Sequence, residues 1–293
     1  MTPTANTGQP AVVTLHQALE FAAAHSVARL DAQMMLLHAL AQDAGTIARD
    51  RAWLAAHADD FMTPAASDRF DDAVRRRAQG EPLAYVTGER EFFGLPLQLD
   101  ARVLIPRADT ETLVQWAIEI LDGMNANGPT QRSALDLGTG SGAIALALKH
   151  QRPALCVDAI DADPQALQVA ISNATRLDLK VGFAPGNWLQ GVTRSYDLIV
   201  SNPPYIAPGD HHLLHLVHEP RQALVSGGDG LDDLRKIIGN ASCNLHPGGW
   251  LIVEHGYDQA DRVRKLFLAE GYTGVVTRRD LAQHERCSGG RRS

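Results

Sequence analysis

Four consecutive residues, Asn202-Pro203-Pro204-Tyr205, follow the apolar run Asp197-Leu198-Ile199-Val200-Ser201 and suit one kind of chemistry. An Asn at the C-terminal tip of a buried strand offers a side-chain carbonyl that accepts a hydrogen bond from a planar NH2 group. The backbone carbonyl of Pro203 offers a second acceptor beside it. Two prolines fix φ and stiffen the turn before anything binds, and Tyr205 adds an aromatic wall. A conjugated nitrogen, in an amide, a base amine or an aniline-like group, would be held there by both N–H bonds with its face toward an electrophile. Such a nitrogen is a poor nucleophile because its lone pair is delocalised. A site that holds both hydrogens and favours a more tetrahedral nitrogen stabilises the transition state of methyl transfer over the ground state. As structure alone, Pro-Pro after a strand is a stop signal; a second site favours the chemical reading.

That second site is Ser133-Ala134-Leu135-Asp136-Leu137-Gly138-Thr139-Gly140-Ser141-Gly142, followed by the helix-like Ala143 to Leu148. A short apolar strand entering a glycine-rich turn and then a helix is the first unit of a doubly wound, Rossmann-like α/β fold. The glycines tolerate positive φ and let the backbone approach a ligand closely. Gly138-x-Gly140-x-x-Ala143 also satisfies the loose dinucleotide pattern, so a nicotinamide enzyme shares this signal. Asp161, about twenty residues past the last glycine, is placed to take two ribose hydroxyls. Ribose binding does not separate the two cofactors. Asn202-Pro203-Pro204-Tyr205 does, having no use in hydride transfer, and Asp136 is suited to help hold an ammonium group. A ribose, an ammonium and a transferable methyl together describe S-adenosylmethionine.

The remaining elements must position these two tips. With 293 residues and 45% hydrophobic content the chain can bury a good core in one or two domains. No apolar run approaches the roughly twenty residues that span a bilayer, and residues 1–11 lack the blocks of a signal peptide and read as a disordered tail. Cys156, Cys243 and Cys287 form no paired motif, so the expected compartment is the reducing cytoplasm, without disulfide or zinc. A net charge of -7 argues against a protein that grips long stretches of nucleic-acid backbone, and no membrane association is expected. Arg75-Arg76-Arg77 is read as favourable charge at a helix C-terminus.

Residues 12–80 have helical periodicity, with Thr14 and Thr63-Pro64 as N-caps, and form an expected small bundle for substrate recognition. Residues 81–108 are turn-rich and strand-like and read as a β-hairpin connector. From 109 to 293 the catalytic domain follows: a helix from Thr110-Glu111-Thr112 to Leu121, a polar loop at 125–132, and strands expected at 133–137, 155–160, 181–184, 196–201, 249–254 and 273–277, with an antiparallel edge that uses the stretch around Arg286. The stretch from Ile206 to Gly230 is long for a connection and reads as a lid over the catalytic tip. Its His211, His212, His215 and His218 lack a completing Cys or carboxylate pattern, so no metal is expected.

With these residues in place, the chain resembles the bacterial protein-(glutamine-N5) methyltransferases, and within them the branch that acts on peptide-chain release factors. The resemblance runs from about residue 15 onward. It rests on Gly80-Glu81-Pro82 with Tyr85 and Thr87-Gly88, Glu91-Phe92-Phe93-Gly94, Leu104 to Glu111, the glycine turn, Asn202 to Tyr205, Glu219-Pro220 with Ala223-Leu224, Gly228 to Leu231, Glu254-His255-Gly256 and Arg279-Asp280. It implies a seven-stranded class I S-adenosylmethionine-dependent methyltransferase domain with a small N-terminal helical bundle joined by a β-hairpin. It also implies that Gly138, Thr139, Gly140, Ser141, Gly142 and Asp161 hold the cofactor with Asn187 and Trp188 on the adenine side. Asn202, Pro203, Pro204 and Tyr205 would hold the glutamine of a Gly-Gly-Gln tip, with Asn202 touching the cofactor too. Two residues depart from the family pattern: Asn187 stands where Asp is usual, and His218 where an aromatic often precedes Glu-Pro. Glutamine methylation of a ribosomal protein is the nearest alternative. Exocyclic-amine methylation of DNA or RNA would share the Asn-Pro-Pro-Tyr tip but needs a basic cleft and a target-recognition segment that the sequence does not display.

Overall fold

The computed structural model describes residues 13–43, 49–124 and 131–293. The expected tail at 1–11 and most of the polar loop at 125–132 lie outside the described residues. The chain divides into two compact units, Met1–Gly88 and Glu89–Ser293.

The first unit contains α1 (Leu15–Ala24), α2 (Arg29–Ala41), α3 (Arg51–Ala56), α4 (Pro64–Ala78) and α5 (Leu83–Thr87). Thr14 forms a capping box with Gln17, and Thr63 accepts from the Ala66 N–H with Pro64 in the first turn, so both expected caps start helices where their side chains satisfy orphan N–H groups. Leu15, Met35, Leu36, Phe70 and Val74 meet in one core. Phe70 and Val74 are fully buried, each side chain contributing about 1.5–3 kcal/mol. The basic run at the end of α4 does more than face the helix carbonyls: Arg76 pairs with Glu81 at 2.6 Å and Arg77 with Asp31 at 2.8 Å. Leu83–Thr87 was expected within the strand-like connector and is instead a helical turn. Val86 joins the helical core and the Thr87 hydroxyl donates back to the Leu83 carbonyl.

The second unit opens with the hairpin β1 (Glu89–Phe92) and β2 (Leu95–Gln98), turned by Phe93 and Gly94, both at positive φ. The hairpin is therefore confined to 89–98 and belongs to this unit. Then follow α6 (Glu111–Met124), β3 (Ser133–Leu137), α7 (Ala143–Gln151), β4 (Cys156–Asp161), α8 (Pro164–Arg176), β5 (Gly182–Pro185), β6 (Tyr196–Ser201), α9 (Asp232–Ala241), β7 (Leu245–Glu254), α10 (Ala260–Ala269), β8 (Thr273–Arg279) and β9 (Glu285–Arg291). They build a seven-stranded sheet of order β5-β4-β3-β6-β7-β9-β8. The first five strands are parallel, and β9 runs antiparallel to both neighbours. Every residue of β3 and β6 is buried, as befits mainly apolar central strands covered on both faces. Gly289 and Gly290 admit β9 to its slot: a Cβ on Gly289 would lie 2.5 Å from Ile252 Cγ2, and one on Gly290 2.8 Å from Tyr272 Cβ. Among the described residues no helix is long and apolar enough to cross a membrane.

Candidate active site

Strand register brings the two tips together. Leu137 pairs with Ile160 on one side and Ser201 on the other. The chain therefore leaves three adjacent strands at one level, as Gly138, Asp161 and Asn202. This is the point where strand order reverses, the usual crevice for a ligand in such sheets. The glycine turn is braced from both sides. The N–H groups of Gly138 and Thr139 both donate to the Ile160 carbonyl, at 2.8 and 3.0 Å. Buried Asn173 on α8 donates to the Ser141 carbonyl at 3.0 Å while bonding both backbone groups of Gln98. Gly138, Gly140 and Gly142 all have positive φ.

A cavity of about 510 Å³ opens over these tips, walled by Gly138, Gly140, Asp161, Asn187, Trp188, Asn202 and Pro204 among others. The Asp161 carboxylate accepts from the Gly140 N–H at 2.8 Å and the Asp163 N–H at 2.9 Å. Burial raises its pKa against those two bonds. Its remaining lone pairs are free for a ribose diol. Trp188 sits at φ 52 with its indole N–H on Asp233 at 3.1 Å. Its ring lies 3.0 Å from where a Cβ of residue 138 would be, so the wall can close over the turn because Gly138 has no side chain. Asn187 is exposed on the same wall. Bare backbone, a flat apolar ring and one diol acceptor fit the nucleoside of S-adenosylmethionine.

Four expected cofactor residues do not reach this wall. Asp136 is fully buried inside the turn, where one oxygen accepts from the Thr139 hydroxyl at 2.6 Å and the Ala145 N–H at 3.2 Å and the other has no partner. Burial pushes its pKa up to about 7. Thr139 serves Asp136, Ser141 serves Asn173, and Gly142 caps α7. Conversely, Val103, Asp163, Gln222 and Asp233 line the cavity, although nothing in their local sequence marks them, and Leu104 of the Leu104 to Glu111 stretch lines it as well.

On the other side of Asn202 lies a smaller cavity of about 70 Å³, lined by Asn202, Pro203, Tyr205, Leu104, Arg107 and Leu216. Asn202, Leu104 and Ala223 border both spaces. The Asn202 amide NH2 donates to the Thr110 hydroxyl at 3.2 Å, leaving the carbonyl end for another partner. Pro203 is buried. Tyr205 donates its hydroxyl to Glu254 at 3.2 Å, and its backbone carbonyl accepts from Gln259 at 2.9 Å. Burial and the Glu254 charge raise the Tyr205 pKa, so it remains a neutral donor. A side chain at Gly230 would strike the Tyr205 carbonyl at 2.3 Å, which accounts for a glycine there.

The expected lid is anchored at its root. Ile206 bridges to Val225, and buried Glu219 accepts from the Ile105 N–H at 3.1 Å and pairs with Arg107 at 2.5 Å. Leu214 and Val217 stay exposed. A carboxylate does stand beside two of the lid histidines: ligand atoms of Asp210, His211 and His212 lie within 4.8 Å of one another. The Asp210 oxygen already accepts from the His212 backbone and ring, at 2.9 and 2.7 Å, in capping a short turn. His215 and His218 do not join this group.

The chain is similar to known proteins in both units. Residues 14–88 match the family model "PrmC N-terminal domain", and residues 118–247 match "Methyltransferase small domain". Proteins named release factor glutamine methyltransferase are similar over nearly the whole chain. The one from Xylella fastidiosa is 45% identical, covering 94% of this chain and 97% of its own. That of Bordetella pertussis is 46% identical over 89% and 94%, and that of Coxiella burnetii 42% over 87% and 88%. Among solved structures, the hMettl16 catalytic domain in complex with MAT2A 3'UTR hairpin 6 has a TM-score of 0.55 at 16% identity, covering 83% of this chain and 92% of that one. A methyltransferase from Pyrococcus furiosus has 0.51 at 17% identity, covering 76% and 99%. At such identities these two share the fold.

Proposed function

Because the chain belongs to the release factor glutamine methyltransferase family, we propose that it methylates the side-chain amide nitrogen of the glutamine in the Gly-Gly-Gln tip of peptide-chain release factors. The cofactor, S-adenosylmethionine, supplies a sulfonium methyl as electrophile. The observation that carries the reading is the place of Asn202, on the wall shared by the cofactor cavity and the small second cavity. Its NH2 is tied to Thr110, so its carbonyl oxygen is the end available to an incoming amide. That oxygen and the Pro203 carbonyl take one N–H each, and the Tyr205 ring walls the amide. Catalysis is then positioning and exclusion of water. No general base is needed before attack, since the methylated nitrogen is acidic enough to lose its proton afterwards.

Asp161 holds the ribose, and Trp188 and Asn187 line the adenine side. Asn187 accepts from an adenine amino group through its carbonyl, a neutral contact where a carboxylate would make a charged one, so cofactor binding is retained and weakened. The helical unit recognises the body of the factor, and the reaction takes place in the cytoplasm. Purified protein incubated with S-adenosylmethionine and an unmodified release factor should add one methyl to the tip glutamine, located by peptide mass spectrometry. Asn202→Ala should remove turnover by roughly 100-fold or more while leaving S-adenosylhomocysteine binding measurable. Near-normal turnover by that variant would remove Asn202 from the chemistry.

A further inference from the structure

Glu254 ends β7 beside the Asn202 turn, and the chemistry above leaves it without a role. It is nonetheless a carboxyl with 1% exposure, a costly thing to bury without full pairing. Its Oε1 accepts from the Tyr205 hydroxyl, and its Oε2 is buried with no hydrogen-bond partner among the described residues. Thr110 stands beside this carboxyl and pulls its pKa down, but no hydrogen bond joins the two in this structure. The same Thr110 hydroxyl accepts from Asn202.

A hydroxyl has one proton to give. The two ends of a carboxamide are nearly equal in shape, so packing alone does not choose which end of Asn202 faces the substrate; the hydrogen-bond network must. If Asn202 were reversed, its NH2 would meet the NH2 of the glutamine, donor against donor. We infer that Thr110 and Glu254 are positioning residues: the Glu254 carboxylate accepts a hydrogen bond from the Thr110 hydroxyl, Thr110 can then only accept from Asn202, and Asn202 must turn its carbonyl oxygen to the substrate nitrogen. The inference rests on the role of Asn202 given above.

The device depends on Glu254 being charged. A protonated Glu254 can itself donate to Thr110, which frees the Thr110 proton for the Asn202 oxygen and removes the preference. Burial pushes Glu254 up to about 7, against pulls from Thr110, Arg286 and Tyr205. The other ionisable groups facing it are Asp109 before α6 and Cys287, its partner in β9. Arg286 is shared with Asp280 and Asp109, at 3.1 and 3.2 Å.

The test measures kcat and KM with an intact unmodified release factor at saturating S-adenosylmethionine from pH 6 to 9, with S-adenosylhomocysteine affinity measured alongside. Thr110→Ser, which keeps the hydroxyl, should stay within about threefold of wild type, whereas Thr110→Val should lower kcat roughly 10- to 100-fold with KM and cofactor affinity nearly unchanged. Wild-type kcat should fall on the acid side of about 7. Glu254→Gln should lower kcat and abolish that acid limb. Asp136 is also pushed up to about 7 and would leave the limb in place in this variant. Asn202→Ala combined with Thr110→Val should be no worse than Asn202→Ala alone. If Asn202→Ala is inactive while Thr110→Val turns over normally, or Glu254→Gln keeps the limb, the positioning role is overturned. An active Asn202→Ala overturns the reading of the site beneath it. Should Thr110→Val lose cofactor binding through misfolding, the Glu254→Gln profile decides.

Discussion

Replacing Asp161 by Asn isolates what a charge at the tip of β4 does for the cofactor. In the wild-type site one carboxylate oxygen accepts from Gly140 N–H and the other from Asp163 N–H. Both oxygens keep capacity for the ribose hydroxyls. An amide has a single acceptor oxygen, so one N–H then faces an NH2 group and one ribose hydroxyl loses its acceptor. Hydrogen bonds to charged groups contribute about 1.5–3 kcal/mol each. Losing one toward the ligand weakens binding by roughly 10- to 100-fold at about 1.4 kcal/mol per decade. Stability of the free protein should change less, because burial already disfavours the Asp161 charge and its removal offsets part of the lost backbone bond. Isothermal titration with S-adenosylhomocysteine at pH 8 gives the affinity, thermal melting of the free protein gives stability, and kcat at saturating cofactor should stay within a few-fold. A dissociation constant within twofold of wild type would refute the assignment of Asp161 to the ribose.

Arg132 and Asp197 offer a second test, with a definite sign in pH. Burial pushes the Asp197 carboxyl up, but the Ser133 backbone N–H and the Arg132 guanidinium at 2.7 Å more than reverse this, and its pKa lies below the usual value. A depressed folded pKa contributes stability above the unfolded value and loses it as pH falls through the folded one. Arg132→Met leaves a buried charge unpaired, at a cost of about 3 kcal/mol, and should move acid unfolding to higher pH; an unmoved acid midpoint would count against the pair. For the helical unit, deletion of residues 1–88 should raise KM for an intact release factor far more than for a short Gly-Gly-Gln peptide. Equal effects on both substrates would deny it a part in recognition.

The sheet was legible because its central strands are buried on both faces and therefore read as short, mainly apolar runs, Ala134 to Leu137 broken only by Asp136 and Leu198 to Val200 unbroken. Capping was legible at Thr14 and Thr63 because it is a local hydrogen bond within three residues. Leu83–Thr87 misled because Tyr, Val and Thr favour strands, and packing of Val86 into the helical core overrode that preference. The glycine turn, Asp161 and Asn202 were visible as motifs at their spacing, whereas Asn187 and Trp188 were expected only from the resemblance. Thr110 and Glu254 lie 92 and 52 residues from Asn202 in sequence, and only the tertiary fold, with Thr110 in the turn before α6 and Glu254 at the end of β7 next to β6, brings them near it. Asp136 shows the converse: its position before the glycines suggested a ligand contact, but alternation along β3 turns its side chain into the turn.

The seat of β9 between β7 and β8 has a consequence for the order of assembly. β8 and β9 pair with each other as successive antiparallel strands, and the hairpin they form joins the rest of the sheet only through β9 on β7. The strands that carry Gly138, Asp161 and Asn202 pair with one another without any residue of that hairpin. Glu254 gains its cross-strand partner, Cys287, only with it. During refolding, S-adenosylhomocysteine binding should therefore return before turnover, and simultaneous recovery in a double-jump experiment would contradict this order. The donor side of the enzyme would then exist for a time as a receptor with no reaction to perform, protected by its ligand while the acceptor side is still being built.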